Sequence, residues 1–155
     1  MPARETPATR ALDEAGVAFE LREYDHDPAA GSYALEAADA LGLDPDAVFK
    51  TLVVDRDGSL VVCLVPAAQQ LDTRALGKRV ALAPPDRAEK VTGYVTGGIS
   101  PFGQRRPLPT LVDELVEALD VVWVSAGRRG LEIGLAPADL IQVLDAEVRA
   151  IARNV

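Results

Sequence analysis

Residues 92–103, TGYVTGGISPFG, hold four glycines, a proline and three aliphatic hydroxyls around short apolar patches. Gly97 and Gly98 permit positive φ and close approach of backbone to a ligand. Pro101 fixes its own φ and biases Ser100 towards an extended conformation. The expectation is a stiff loop with bare amide N–H groups and one outward hydroxyl, able to hold a carbonyl or phosphate oxygen. The plainer alternative is a tight turn between strands.

A second candidate lies upstream. Lys50 interrupts the apolar run 48–54 (VFKTLVV), sharing a strand face with Val48, Leu52 and Val54. The chain has three lysines against thirteen arginines. A position needing only positive charge would more readily be arginine here. Lysine differs in a compact ammonium whose pKa falls when it is desolvated. The competing reading is a lysine with its stem buried and its head in water.

The remaining chemistry is sparse. One cysteine and one histidine cannot make a Cys/His zinc site, and no metal or other cofactor is called for. Cys63 sits in LVVCLV (60–65) and reads as core. His26, in YDHDP, reads as a solvated turn residue, with a triad role as the alternative.

At 155 residues with 48% hydrophobic content, the chain is expected to form one domain over residues 1–155. No apolar run is long enough for a membrane span, and residues 1–10 lack the apolar region of a secretory signal, so a cytoplasmic protein is expected. The formal charge is −8, with 14 acidic and 6 basic residues in 1–77 and ten of each in 78–155. Six bases (Lys78, Arg79, Arg87, Lys90, Arg105, Arg106) face only Asp86 and Glu89 between 78 and 106. That imbalance suggests one phosphate-binding face, or simply an uneven solvated surface.

The elements follow from periodicity and caps. Helices are expected after Thr6-Pro7 up to Gly16, from Ser32 to Gly42, in a short piece after Asp72, and over 86–90 with Asp86 and Glu89 as a capping box. A turn of helix at 115–119 and helices over 137–144 and 146–153 complete the set. Strands are expected at 17–24, 48–54, 60–65, 80–82, 108–112, 121–125 and 131–133, with a Asp57-Gly58 hairpin turn. Short strands with helices gathered at the ends indicate α+β around a mixed, mostly antiparallel sheet.

Five stretches in order, TPA near the start, YDH at 24–26, FKTL at 49–52, TGYVTGGISPFG at 92–103 and VSAGRRGLEI at 124–133, resemble the YbaK/EbsC family of aminoacyl-tRNA deacylases. That family is related to the editing domain of bacterial prolyl-tRNA synthetases. The resemblance implies a sheet curled into a partial barrel with flanking helices, and a cleft beside the glycine loop. It implies a trans-editing deacylase acting on aminoacyl-tRNA, with cysteine on tRNA(Pro) as the expected substrate and prolyl-tRNA synthetase as a second candidate partner. Water-mediated removal of alanine or another small residue, and a non-catalytic binding module, are the alternatives. Carried over position by position, Lys50 is catalytic, and Tyr24, Tyr33, Thr51, Gly97, Gly98, Ser100, Pro101, Ser125, Gly127 and Asp139 bind substrate. Ala126 stands where the family usually has a second glycine.

Overall fold

The computed structural model describes residues 5–154. Thr6 caps α1 (Pro7–Glu14) through a reciprocal box with Thr9, while its hydroxyl donates to the Ala126 carbonyl. That bond ties the start of α1 to a turn 120 residues away. β1 (Glu20–Glu23) is shorter than the alternation of 17–24 suggests, because Val17 and Phe19 pack on the core without pairing in the sheet. Ser32 and left-handed Gly42 bound α2 (Tyr33–Leu41).

β2 (Phe49–Arg56) and β3 (Ser59–Pro66) form a hairpin closed at Asp57 and Gly58, both at positive φ. β4 (Gln69–Leu71), a 3-10 turn over Thr73–Ala75 and β5 (Val80–Leu82) follow. α3 (Pro85–Thr92) starts on Pro84 with no side-chain cap. The expected Asp86–Glu89 capping box is absent, because Glu89 turns instead to the Thr96 amide at 2.8 Å. β6 (Thr110–Asp113), a 3-10 stretch at Glu114–Ala118, β7 (Val122–Ser125) and β8 (Leu131–Leu135) lead to α4 (Pro137–Leu144).

The chain after α4 corrects the expected helix over 146–153. Asp145 takes a left-handed conformation (φ 49°) and stops α4. β9 (Glu147–Arg149) then pairs in parallel with β6, and β10 (Ala152–Asn154) pairs antiparallel with β4. Asp113 pins the bend between them by accepting from the Ile151 and Ala152 amides at 3.0 and 2.9 Å. Local helix propensity loses to two open strand edges that needed partners.

Three sheets result, ordered β5-β2-β3-β6-β9, β1-β8-β7 and β10-β4. The five-stranded and β1-β8-β7 sheets pack on an apolar cluster that includes Phe49, Leu64, Phe102, Val124, Leu131 and Ile133, while Val54, Cys63, Val65, Leu71 and Ile151 form a second cluster on the other face of β3, beside the β10-β4 pair. The assembly is an open α+β arrangement with mixed and antiparallel pairing, as expected. Among the described residues no helix is long and apolar enough to cross a membrane.

Candidate active site

Strand β2 is paired on only part of its outer edge. β5 reaches Val54–Arg56 and no further. The last contact on that side is the Ala83 amide on the Val53 carbonyl at 2.9 Å. At the other end, the Trp123 amide donates to the Ala47 carbonyl and Val48 bridges Trp123. Between these two departures the edge of β2 from Phe49 to Thr51 has no strand beside it among the described residues. Peptide groups on a strand point alternately to its two sides. Since Ala47 and Val53 carbonyls face outward, the peptide groups of Phe49 and Thr51 face the gap. A cleft of about 330 Å³ fills it, lined by β2, Tyr24, the start of α2, β5, α3, the glycine loop, Ser125 and Glu132.

Lys50 lines this cleft between buried Phe49 and half-buried Thr51. Burial lowers its ammonium pKa, and no hydrogen bond or ion pair offsets that among the described residues. The Thr51 hydroxyl is likewise buried and without a partner among the described residues. A buried, unpaired hydroxyl costs about 1–3 kcal/mol, so its persistence beside a cleft is what a ligand-facing group looks like.

Glu132 was not singled out from the sequence. Its strand neighbours Leu131 and Ile133 point into the core, and the alternation sends Glu132 to the opposite face with Ser125 across the β7–β8 ladder. It is 6% exposed, and burial pushes its carboxyl up to about 8. Burial therefore favours the protonated carboxyl, the form that can donate a hydrogen bond. The available signal was a single acid alternating between apolar residues in a β-rich run. Burial first, and then the nearby Glu132 carboxyl, push the Tyr24 phenol up to about 12, which keeps it a neutral donor.

The glycine loop differs from the expectation of bare amides and an outward hydroxyl. The Gly98 amide is bonded to the Val95 carbonyl at 2.8 Å, and Thr96 N–H to Glu89. Ser100 is fully buried, its Oγ accepting from the Phe102 amide at 3.3 Å, and Pro101 is buried with it. Of the loop, Thr96, Gly97 and Ile99 line the cleft.

The motif glycines serve mainly to let loops touch. A Cβ on Gly98 would lie 2.8 Å from the Arg128 Cα, and one on Gly103 would meet the Pro7 carbonyl. One on Gly127 would lie 2.8 Å from the Tyr94 ring. Gly97 (φ 87°) is the exception, with the Tyr33 ring and the Arg129 side chain 2.8 Å from its Cβ position. Arg129 in turn lies under that ring, its Cζ 4.9 Å from the centroid, and donates through Nε to the Thr96 carbonyl at 2.9 Å. Tyr33 thus roofs the cleft beside the loop.

The structure therefore brings Lys50, Thr51, Tyr24, Tyr33, Gly97 and Ser125 to one cleft. Gly98, Ser100, Pro101 and Gly127 stand behind it as packing, and Asp139 lies in the first turn of α4, outside the lining. The carboxyl that does face the cleft is Glu132. Neither Cys63, buried with its thiol pushed up to about 12, nor His26, bonded to Glu36 at 2.8 Å, lines it.

Residues 27–143 match the family model described as the aminoacyl-tRNA editing domain, and the chain belongs to that family. It is 34% identical over 116 residues to EbsC of Enterococcus faecalis, named for a proposed deacylation of Cys-tRNA(Pro) and Cys-tRNA(Cys), covering 71% of each chain. It is 31% identical to the Escherichia coli multifunctional Ser/Thr-tRNA deacylase ProXp-y, over 57% of this chain and 56% of that one. The crystal structure of a candidate trans-editing enzyme for prolyl-tRNA synthetase superposes with a TM-score of 0.82 at 28% identity, covering 97% and 99% of the two chains. A scaffold from an epitope-grafting design shares the fold, with a TM-score of 0.85 at 24% identity and coverage of 100% and 99%.

Proposed function

We propose that this protein is a trans-editing deacylase that cleaves the ester of cysteine mischarged onto tRNA(Pro). The observation that carries the reading is a cleft holding a lysine and a hydroxyl without partners among the described residues and a buried carboxyl, with no cysteine or histidine in its lining.

Each group answers a need of an aminoacyl ester. As the carbonyl carbon is attacked, negative charge develops on its oxygen. Lys50, whose ammonium is penalised by burial, regains stability from that charge, and the Thr51 amide and hydroxyl supply further donors. One such donor is worth about 2.7–4 kcal/mol of barrier. Glu132, whose neutral form burial favours, would ionise beside an incoming α-ammonium group and hold it.

The nucleophile then comes from the substrate. The cysteine sulfur attacks its own carbonyl carbon, the ester C–O bond breaks, and the thiol proton ends on the departing 3′-oxygen of the tRNA. The product is a β-thiolactone, which water opens to free cysteine. Orientation of an intramolecular attack can contribute about 7–11 kcal/mol, so the protein need only hold geometry and charge. Apolar walls from Phe49, Val53, Ala83, Ala88 and Ile99 suit a thiol, which loses less on leaving water than a hydroxyl.

A second reading draws on the Ser/Thr-tRNA deacylase among the relatives and on the Thr51 hydroxyl, which could pair with a substrate hydroxyl. A panel of charged tRNAs separates the two. Cysteinyl-tRNA(Pro) should be cleared far faster than the seryl or alanyl esters, and alkylating the cysteine sulfur should stop its release. Equal rates on all three esters would refute the thiol mechanism and favour water as nucleophile.

A further inference from the structure

The six bases between residues 78 and 106 do not form one face. The Arg105 and Arg106 amides bond to the Thr92 and Val91 carbonyls, which seats both residues with Lys90 at the C-terminal end of α3. Arg87 is paired with Asp55 at 3.0 Å. Lys78 and Arg79 lie elsewhere, in a recess of about 370 Å³ at the hairpin end of β2, together with Arg56.

That recess is joined to the cleft by one edge strand. Leu82 of β5 lines the cleft, and Val80, two residues back on the same strand, lines the recess. Among the described residues β5 pairs only with β2, so its outer edge is unpaired, and Leu82 on it is 58% exposed. Arg56 donates its Nε to the Leu76 carbonyl at 2.8 Å, which orients the guanidinium at the recess wall. Arg79 and Lys78 are exposed, and the one carboxylate in the lining, Asp57, is 3.8 Å from Arg79. Three cations against one anion leave the recess net positive on a chain whose overall charge is −8.

We infer that the recess formed by Arg56, Lys78 and Arg79 is a second binding site, taking backbone phosphates of the same nucleic acid whose 3′-ester lies in the cleft. Lys50 and Arg56 are six residues apart on β2, or about 20 Å at roughly 3.3 Å per residue. At about 3.4 Å per stacked nucleotide that distance corresponds to roughly six nucleotides. The path along β5 therefore carries the 3′ end, and the recess engages phosphates well back from the ester. Sequence-independent phosphate contacts of this kind supply affinity and register.

The inference rests on the deacylase reading, but its primary test does not use activity. Binding of uncharged tRNA is measured by fluorescence anisotropy across a salt series for the intact protein, for K78A/R79A, and for R105A/R106A. Both Lys78 and Arg79 are exposed, so the fold should be unchanged by circular dichroism and Tm. K78A/R79A should lose at least about tenfold in affinity at low salt, with a salt slope shallower by about 1.4–1.8 for two lost phosphate contacts. R105A/R106A should lose less, and K78R/R79K should retain affinity. Deacylation of a 3′-aminoacyl dinucleotide, too short to reach the recess, should be unaffected in K78A/R79A. Wild-type affinity and slope in K78A/R79A, a larger loss in R105A/R106A, or equal activity losses on the dinucleotide and full-length tRNA would each overturn the inference. If no ester of any tRNA is cleaved, the deacylase reading fails, while the binding comparison still decides the recess.

Discussion

The backbone of Arg128 occupies the space a side chain at Gly98 would need, with its Cα 2.8 Å from the Gly98 Cβ position. The adjacent glycines Gly97 and Gly98 therefore differ in kind. Gly98→Ala must push two backbones apart and should cost stability, about 1–3 kcal/mol, read as a lowered Tm. Gly97→Ala carries the strain of φ 87° and also displaces Tyr33 at the cleft roof, so its deacylation kcat/KM should fall further than its loss of Tm explains. Equal behaviour of the two variants, in both stability and kinetics, would contradict this division.

Lys50→Ala should leave less than a tenth of wild-type kcat/KM, a loss of at least about 1.4 kcal/mol of transition-state stabilisation. Its Tm should hold or rise, because a desolvated ammonium without a partner is removed. Lys50→Arg should rescue poorly, since the planar guanidinium is larger and does not place its charge at the same point. Retention of most activity in the alanine variant would remove Lys50 from the mechanism.

Thr51→Val keeps the shape of the side chain and deletes the unpaired hydroxyl. Replacing an unsatisfied buried group by a methyl should leave Tm unchanged or raise it. Activity should nevertheless drop several-fold if the hydroxyl pairs with the substrate as proposed. A variant that is destabilised but fully active would show the opposite assignment, a structural hydroxyl with a partner in solution.

Glu132 makes stability depend on pH. Its carboxyl titrates near its ordinary 4.5 when unfolded and at about 8 when folded. Between those values the folded protein binds the extra proton, so the contribution of Glu132 to stability is full below pH 4.5 and is lost as pH rises through about 8. Glu132→Gln should flatten that decline and raise Tm at alkaline pH, measured by thermal melts from pH 4 to 9. An unchanged slope would mean that the carboxyl is solvated. If Glu132 holds the substrate ammonium, the same variant should raise KM more than it lowers kcat.

Much of the fold was legible because it is written locally. Thr6-Pro7, Ser32 with Gly42, and the Asp57-Gly58 turn each act on their own few residues, and the structure has α1, α2 and the β2–β3 hairpin where those signals stand. The oddity of Lys50 was legible too, since a lone lysine among apolar strand residues needs no tertiary information to be noticed. The segment 146–153 was not legible, because its strand state depends on the β6 and β4 edges and on the Asp113 carboxylate more than thirty residues away. Nor could sequence sort the glycine motif into the one glycine that lines the cleft and those that let loops pack. That distinction is set by where Tyr33, Arg128 and Pro7 arrive in space. Glu132 shows the same limit most clearly. Its identity and its alternation stand in the sequence, but its raised pKa comes from burial on a face that exists only once β7 of the β1-β8-β7 sheet meets the end of β2, and desolvation is a property of the assembled surroundings rather than of the residue.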